Sequence, residues 1–162
     1  MSPIIDDLRI EAEIPPTAIR PGAAVVIKLR FLNLGTRART LYLIGDESFR
    51  FGQSTFHLHV SPLATVVQPP RRGSYVPSAA DFREIGPRGV LESTQTLRLP
   101  RDIKAGKYSV EWVYENHVEC WPNSPNSPTL PSAGQSIPGI WVGRIVDSFV
   151  LPVARPLLVR PG

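Results

Sequence analysis

Proline is the residue that most restricts this chain: 18 of its 162 residues, about 11% against a usual ~5%, spread from Pro3 to Pro161. Proline has no amide hydrogen and a fixed φ, so it is excluded from helix interiors and from central strands. Helical bundles and doubly wound α/β folds are therefore disfavoured. What remains is an all-β domain whose connections carry the prolines.

The spacing of apolar residues agrees. Period-two alternation, the pattern of a strand with one buried face, runs through Leu8, Ile10, Ala12 and Ile14, and again through Val25, Ile27, Leu29 and Phe31. The second run ends at Asn33-Leu34-Gly35-Thr36, which has turn chemistry, and Thr40 to Ile44 follows at once. These two runs read as a hairpin. Phe49 with Phe51, and Phe56, Leu58 and Val60, give two shorter candidates around Gly52-Gln53-Ser54. The stretch 61–88 holds five prolines and is too long for a plain loop. It leaves two short elements open: an edge strand around Thr65 to Val67, or a helical turn at Ser78 to Phe82 with serine as cap.

Alternation returns from Leu91 to Leu99, is strong in Tyr108, Val110, Trp112 and Tyr114, and closes with Trp141, Gly143, Ile145, Phe149, Leu151 and Val153. Asp147 breaks the last series and suggests a bulge. No window carries a helical stripe. Seven to nine strands at this spacing, each with one apolar face to cover, predict a two-sheet sandwich with long proline-rich loops. One domain over 1–154 with a tail at 155–162 is expected. Leu29, Phe31, Tyr108, Val110 and Trp112 are its expected core.

Ile19-Arg20-Pro21-Gly22, the alternating strand after it and Asn33-Leu34-Gly35 resemble the opening of bacterial immunoglobulin-like domains. Ile103-Lys104-Ala105-Gly106-Lys107-Tyr108-Ser109-Val110 is similar to their later signature. The resemblance spans about residues 5 to 154 and implies an immunoglobulin-like fold, with Tyr108 as the tyrosine of the corner that precedes the penultimate strand. The antibody-type cysteine pair is absent. Relatives of this kind include adhesion-related modules and a cytosolic family of proteinase inhibitors, and none implies a catalytic residue here.

Charge and cysteine content narrow the surroundings. The net charge of +4 comes from 15 arginines and three lysines against 14 acids. The arginines form no block, which argues against a nucleic-acid surface. Cys120 is the only cysteine, so a core rather than disulfides must hold the domain, as suits a reducing compartment. No basic segment precedes an apolar run in MSPIIDDLRI, and no apolar stretch reaches the roughly 18 residues of a membrane span. A cytoplasmic location is the expectation.

The chemistry-bearing residues are few. His57 and His59, two apart on a strand, share a face and supply two nitrogens to zinc or copper. A third ligand would have to come from His117, Cys120 or a carboxylate, and none has diagnostic spacing. Two polar positions on a solvent-facing strand explain the pair more simply. Cys120 and His117, three apart, point to opposite faces of extended backbone, so a catalytic thiol needs a turn between them. A small buried hydrophobe is the simpler reading of Cys120. Gly52-Gln53-Ser54-Thr55-Phe56 lacks the second glycine and the following helix of a nucleophile elbow. Neither a phosphate-cradling glycine loop nor a dinucleotide fingerprint is present. No enzyme activity and no cofactor are expected.

The most unusual segment lies between Asn116 and Ile140, where Pro122-Asn123-Ser124 and Pro125-Asn126-Ser127 form a short tandem repeat before Pro128. Proline-stiffened and poor in apolar residues, Trp121 to Pro138 is expected to stand out as a contact loop between the last two strands. Trp121, Pro122, Asn123, Ser124, Pro125 and Asn126 are the candidate contacts for a protein partner. Arg71 and Arg72, in Gln68-Pro69-Pro70-Arg71-Arg72-Gly73, form a second candidate for an acidic partner. The leading reading is a non-enzymatic protein-binding module that uses these loops. A cytosolic protease inhibitor presenting the stiffened loop and a metal-binding protein using His57 and His59 are the alternatives.

Overall fold

The computed structural model describes residues 3–43, 56–61, 65 and 66, 79–121 and 133–155. Nine strands lie among them. The first sheet has the order β1-β2-β7, from β1 (Leu8–Glu13), β2 (Ala24–Asn33) and β7 (Val90–Arg98). The second has the order β5-β4-β8-β9, from β4 (Phe56–Ser61), β5 (Thr65–Val66), β8 (Gly106–Asn116) and β9 (Gly143–Val153). β3 (Arg39–Tyr42) and β6 (Phe82–Ile85) make a separate pair, and all of these pairings are antiparallel.

The two sheets face one another through the positions the alternation marks. Leu8, Ile10, Val25, Ile27, Leu29, Phe31 and Leu97 come from the first sheet. Tyr108, Val110, Trp112, Tyr114, Ile145, Leu151 and Val153 come from the second, and all are buried in one cluster. All five expected core residues are in it. Phe31 meets Tyr114 edge-on across the layers, with ring centroids 5.4 Å apart, and Tyr114 packs against Trp141 at 5.3 Å. Opposed apolar faces covering each other are the driving force for this architecture. The Tyr108 hydroxyl donates to the Lys104 carbonyl at 2.7 Å, pinning the corner just ahead of β8. Two facing antiparallel sheets, the corner tyrosine and the absence of α-helices among the described residues define an immunoglobulin-like β-sandwich.

Both short elements left open in 61–88 exist: among the described residues β5 borders β4 alone, and Ala79–Asp81 forms a 3₁₀ turn. Two local expectations are corrected. The runs 25–32 and 40–44 are not a hairpin, because β2 is flanked on both sides by β1 and β7, while β3 pairs with β6. The Asn33 side chain explains the diversion. Its Oδ1 accepts the Gly35 amide at 3.0 Å, while Nδ2 donates to the carbonyls of Arg37 (2.7 Å), Ile85 (3.2 Å) and Gly86 (3.1 Å), steering the chain towards β6. Asp147 marks no bulge either, since β8 and β9 keep an unbroken register from Gly106↔Val153 to Asn116↔Gly143. Asp147 stands at the rim of the sandwich, half-buried, where a carboxylate on the inward parity still reaches water.

Candidate functional site

The chain leaves β8 through a second asparagine clamp. Asn116 is buried; its Oδ1 accepts the Val118 amide at 2.9 Å and its Nδ2 donates to the Trp141 carbonyl at 2.7 Å. That contact ties the departing strand to the segment returning towards β9. Beyond it the two arms pair. The Ile137 amide donates to the Glu119 carbonyl at 3.0 Å, the Trp121 amide to Gln135 at 2.8 Å and the Gly134 amide to Trp121 at 3.0 Å, with Cys120 bridged to Ser136. The result is a two-stranded neck of 119–121 against 134–137.

Three features hold the neck. Ile137, the apolar residue of the returning arm, is buried at 3% exposure, contrary to a wholly exposed Trp121 to Pro138. The turn Ile137-Pro138-Gly139-Ile140 follows, with Gly139 at φ 67° and its neighbour Thr40 donating its amide to the Gly139 carbonyl at 2.8 Å. Trp121 itself is half-buried. Its ring meets Phe82 at 4.8 Å, and Phe82 meets Tyr42 at 4.8 Å, so three aromatic rings run from β3 through β6 to the base of the loop. Burial first, and the nearby Asp81 carboxylate second, push the Tyr42 hydroxyl up to about 12.

Of the expected contact residues, Trp121 is therefore placed at the top of the neck. Pro122, Asn123, Ser124, Pro125 and Asn126, and likewise Arg71 and Arg72, lie outside the described residues. Phe82, which meets Trp121, and the buried Tyr42 behind it carried no sequence signal for this cluster, since the contacts join positions about forty residues apart.

His57 and His59 lie on β4, and His117 and Cys120 follow the end of β8. β4 sets His57 opposite Val113 and His59 opposite Glu111 of β8. His117 is exposed and its Nε2 lies 2.7 Å from Glu115 Oε1, a partner on its own strand exit. Cys120 is exposed rather than a buried hydrophobe, because the neck holds it in a rung outside the core. Among the described residues no group of three histidine, cysteine or carboxylate side chains is placed to hold a metal.

A second surface feature lies between the two sheets. Arg9, Glu11 and Ala12 of β1 and Trp112, Asp147, Ser148 and Phe149 of the facing sheet line a cleft of about 400 Å³ between the β1 and β9 edges. Among the described residues no helix is long and apolar enough to cross a membrane.

No protein-family model matches the sequence, and no curated protein matches it. Among solved structures, the chain is similar to the ASH / PapD-like domain of human CEP192 (PapD-like domain 7). The identity is 16% over 71% of this chain and 74% of that one, with a TM-score of 0.32. The architecture described above rests on the strand pairings themselves.

Proposed function

We propose that the protein is a non-enzymatic binding module that presents the 122–132 loop, on its neck, to another protein. The observation that supports this reading is the neck: two arms, tied down at Asn116 and Ile137, bracket a proline-rich stretch of sequence, and a half-buried tryptophan stands where it begins. A stretch with so few apolar residues has little core to build, so such an anchor suits presentation of the loop. A base that fixes the two ends lowers the ordering cost of binding, and a tryptophan beside aromatic neighbours is the type of residue that dominates contact energy. Arg71 and Arg72 supply a second, basic contact in this reading. The partner is a protein, and catalysis, cofactor and metal play no part.

The test is to replace Asn123 to Ser132 by a short glycine-serine linker. Stability is expected to change by no more than about 1 kcal/mol, because closure entropy depends weakly on loop length. Partner affinity is expected to fall at least tenfold. Loss of the fold would show that the segment packs as structure, and an unchanged affinity would contradict the loop as the contact.

A further inference from the structure

We propose that the corner end of the sandwich, opposite the loop neck, docks on an anionic lipid bilayer surface, an interaction independent of the loop. Charge placement carries the inference. The arginines and lysines are scattered through the sequence, but the fold gathers six of them at this end. They are Arg20 in the turn before β2, Arg98 at the end of β7, Arg101 and Lys104 in the connection to β8, Lys107 at the start of β8 and Arg155 just after β9. All six are exposed. Asp102 is the one acid among the described residues of 14–27, 96–109 and 150–155, the segments that reach this end. The remaining described residues hold eight cations against eleven acids, so the excess positive charge of the described chain sits at one end.

The six are also uncommitted. Arg9, Lys28 and Arg30 pair with Glu11 and Glu92 on the first sheet and Arg39 pairs with Asp6 and Asp7, whereas none of the six makes an ion pair among the described residues. The backbone beneath them is held internally. The Gly22 amide donates to the Pro100 carbonyl at 3.1 Å, Leu99 to Ala23 at 3.0 Å, Ile19 to Pro152 at 2.9 Å and Ala154 to Ile19 at 2.8 Å. These bonds tie both loops and the end of β9 into one platform. The Arg101 stem lies on the Arg20-Pro21-Gly22 turn, its Cγ 3.1 Å from where a Cβ of residue 22 would stand, at a φ of 77° that suits glycine. Arg98 has the outward parity of β7, opposite to the buried Leu97, and Lys107 that of β8, opposite to the buried Tyr108. The cations therefore extend across both sheets, which pack roughly 10 Å apart.

The occupant follows from what this end offers. A two-dimensional array of cations on a preformed platform matches a plane of anionic headgroups, to which each lysine or arginine adds attraction without needing a pocket. An acidic peptide needs a groove or a free backbone ladder to fix it. The amides just named are spent on internal bonds, and the cleft beside β1 and β9 is lined by none of the six. Unpaired nucleic acid needs aromatic faces for its bases. Tyr108, the one aromatic residue of these segments, is 7% exposed and its hydroxyl is held by the Lys104 carbonyl. Duplex phosphates run in lines, which engage only part of an array that spans both sheets. The contact with lipid is electrostatic, so it is reversible and weakens with salt.

The probe is a vesicle of phosphatidylcholine with about 30% phosphatidylserine, compared with phosphatidylcholine alone, floated with the intact protein at low salt and at about 0.15 M salt. The wild type is expected to float with the anionic vesicles only, and less as salt is raised. A triple variant, Arg98→Gln, Lys104→Gln and Lys107→Gln, changes exposed side chains alone, so its melting temperature should match the wild type while its vesicle affinity falls at least tenfold. A matched triple, Arg37→Gln, Arg88→Gln and Arg144→Gln, removes the same charge from exposed residues nearer the neck and should keep its affinity within about twofold. Equal losses in the two triples would reduce the effect to net charge and overturn the proposal. So would a wild type that does not bind anionic vesicles, or that binds both kinds equally. Tighter binding to duplex DNA or to polyglutamate than to the vesicles, at equal anionic charge and the same salt, would give the surface to another polyanion and overturn it too.

Discussion

Trp112 is 1% exposed at the centre of β8, with Val110 and Tyr114 on the same face and Asp147 opposite it in register. Truncation to alanine removes a large buried ring and leaves a cavity that a two-layer core cannot close. Trp112→Ala is expected to cost about 3–5 kcal/mol, enough to unfold a marginal domain. An unchanged thermal midpoint would contradict the placement. The tyrosines give the core a pH dependence. Burial raises Tyr114 strongly above its ordinary value, partly offset by its hydrogen bond to the Tyr42 carbonyl, and raises Tyr42 to about 12. The folded state therefore holds these protons where the unfolded chain releases them. The tyrosines' contribution to stability is fully present below about pH 10 and falls as pH climbs towards 12, by at most about 1.4 kcal/mol per pH unit for each. Chemical denaturation at pH 8, 10 and 11 measures this. Tyr42→Phe should flatten the slope, and an identical slope in that variant would contradict Tyr42 as a source.

Among the elements, the long strands were readable because half their residues face one core. β2, β7, β8 and β9 appear within a residue or two of the alternation in Val25 to Phe31, Leu91 to Leu99, Tyr108 to Tyr114 and Trp141 to Val153. The partners of β3 were not readable. Its pairing with β6 depends on the Asn33 amide reaching carbonyls some fifty residues away, and no local pattern encodes such a reach. The neck was hidden for a similar reason: Ile137 follows the run Gly134-Gln135-Ser136 with no alternating apolar pattern, and Cys120 is exposed because a backbone rung, not its own polarity, sets its place. Asp147 was the useful anomaly. Its charge on the inward parity was visible in the sequence, but it marks the rim cleft instead of a bulge. Turn geometry yields a further prediction. The Gly86 carbonyl accepts the Gly89 amide at 2.9 Å, and Arg88 between them has φ 59°, a conformation unfavourable for a residue with a Cβ. Arg88→Gly should stabilise the domain by up to about 1 kcal/mol, and denaturant midpoints that fall instead would show that the arginine side chain contributes more than the strain costs.

For the molecule as a whole, the sandwich separates two ends. At one lie Ala24, Arg98 and the Lys104 to Tyr108 corner; at the other, the Asn33 and Asn116 clamps gather the β6 pair, Trp141 and the neck. The buried cluster between them holds the two sheets together and includes Trp141 and Ile85 at the neck end. Binding at the neck end is the central claim. It is tested by placing a photo-crosslinking amino acid at Gln135, in the neck, and at the exposed Arg98, at the far end, in cells that make the protein. A discrete protein adduct from position 135, lost when Asn123 to Ser132 is replaced, with none from position 98, is the predicted result. Adducts from position 98 alone, or from 135 with undiminished yield after loop replacement, would contradict it.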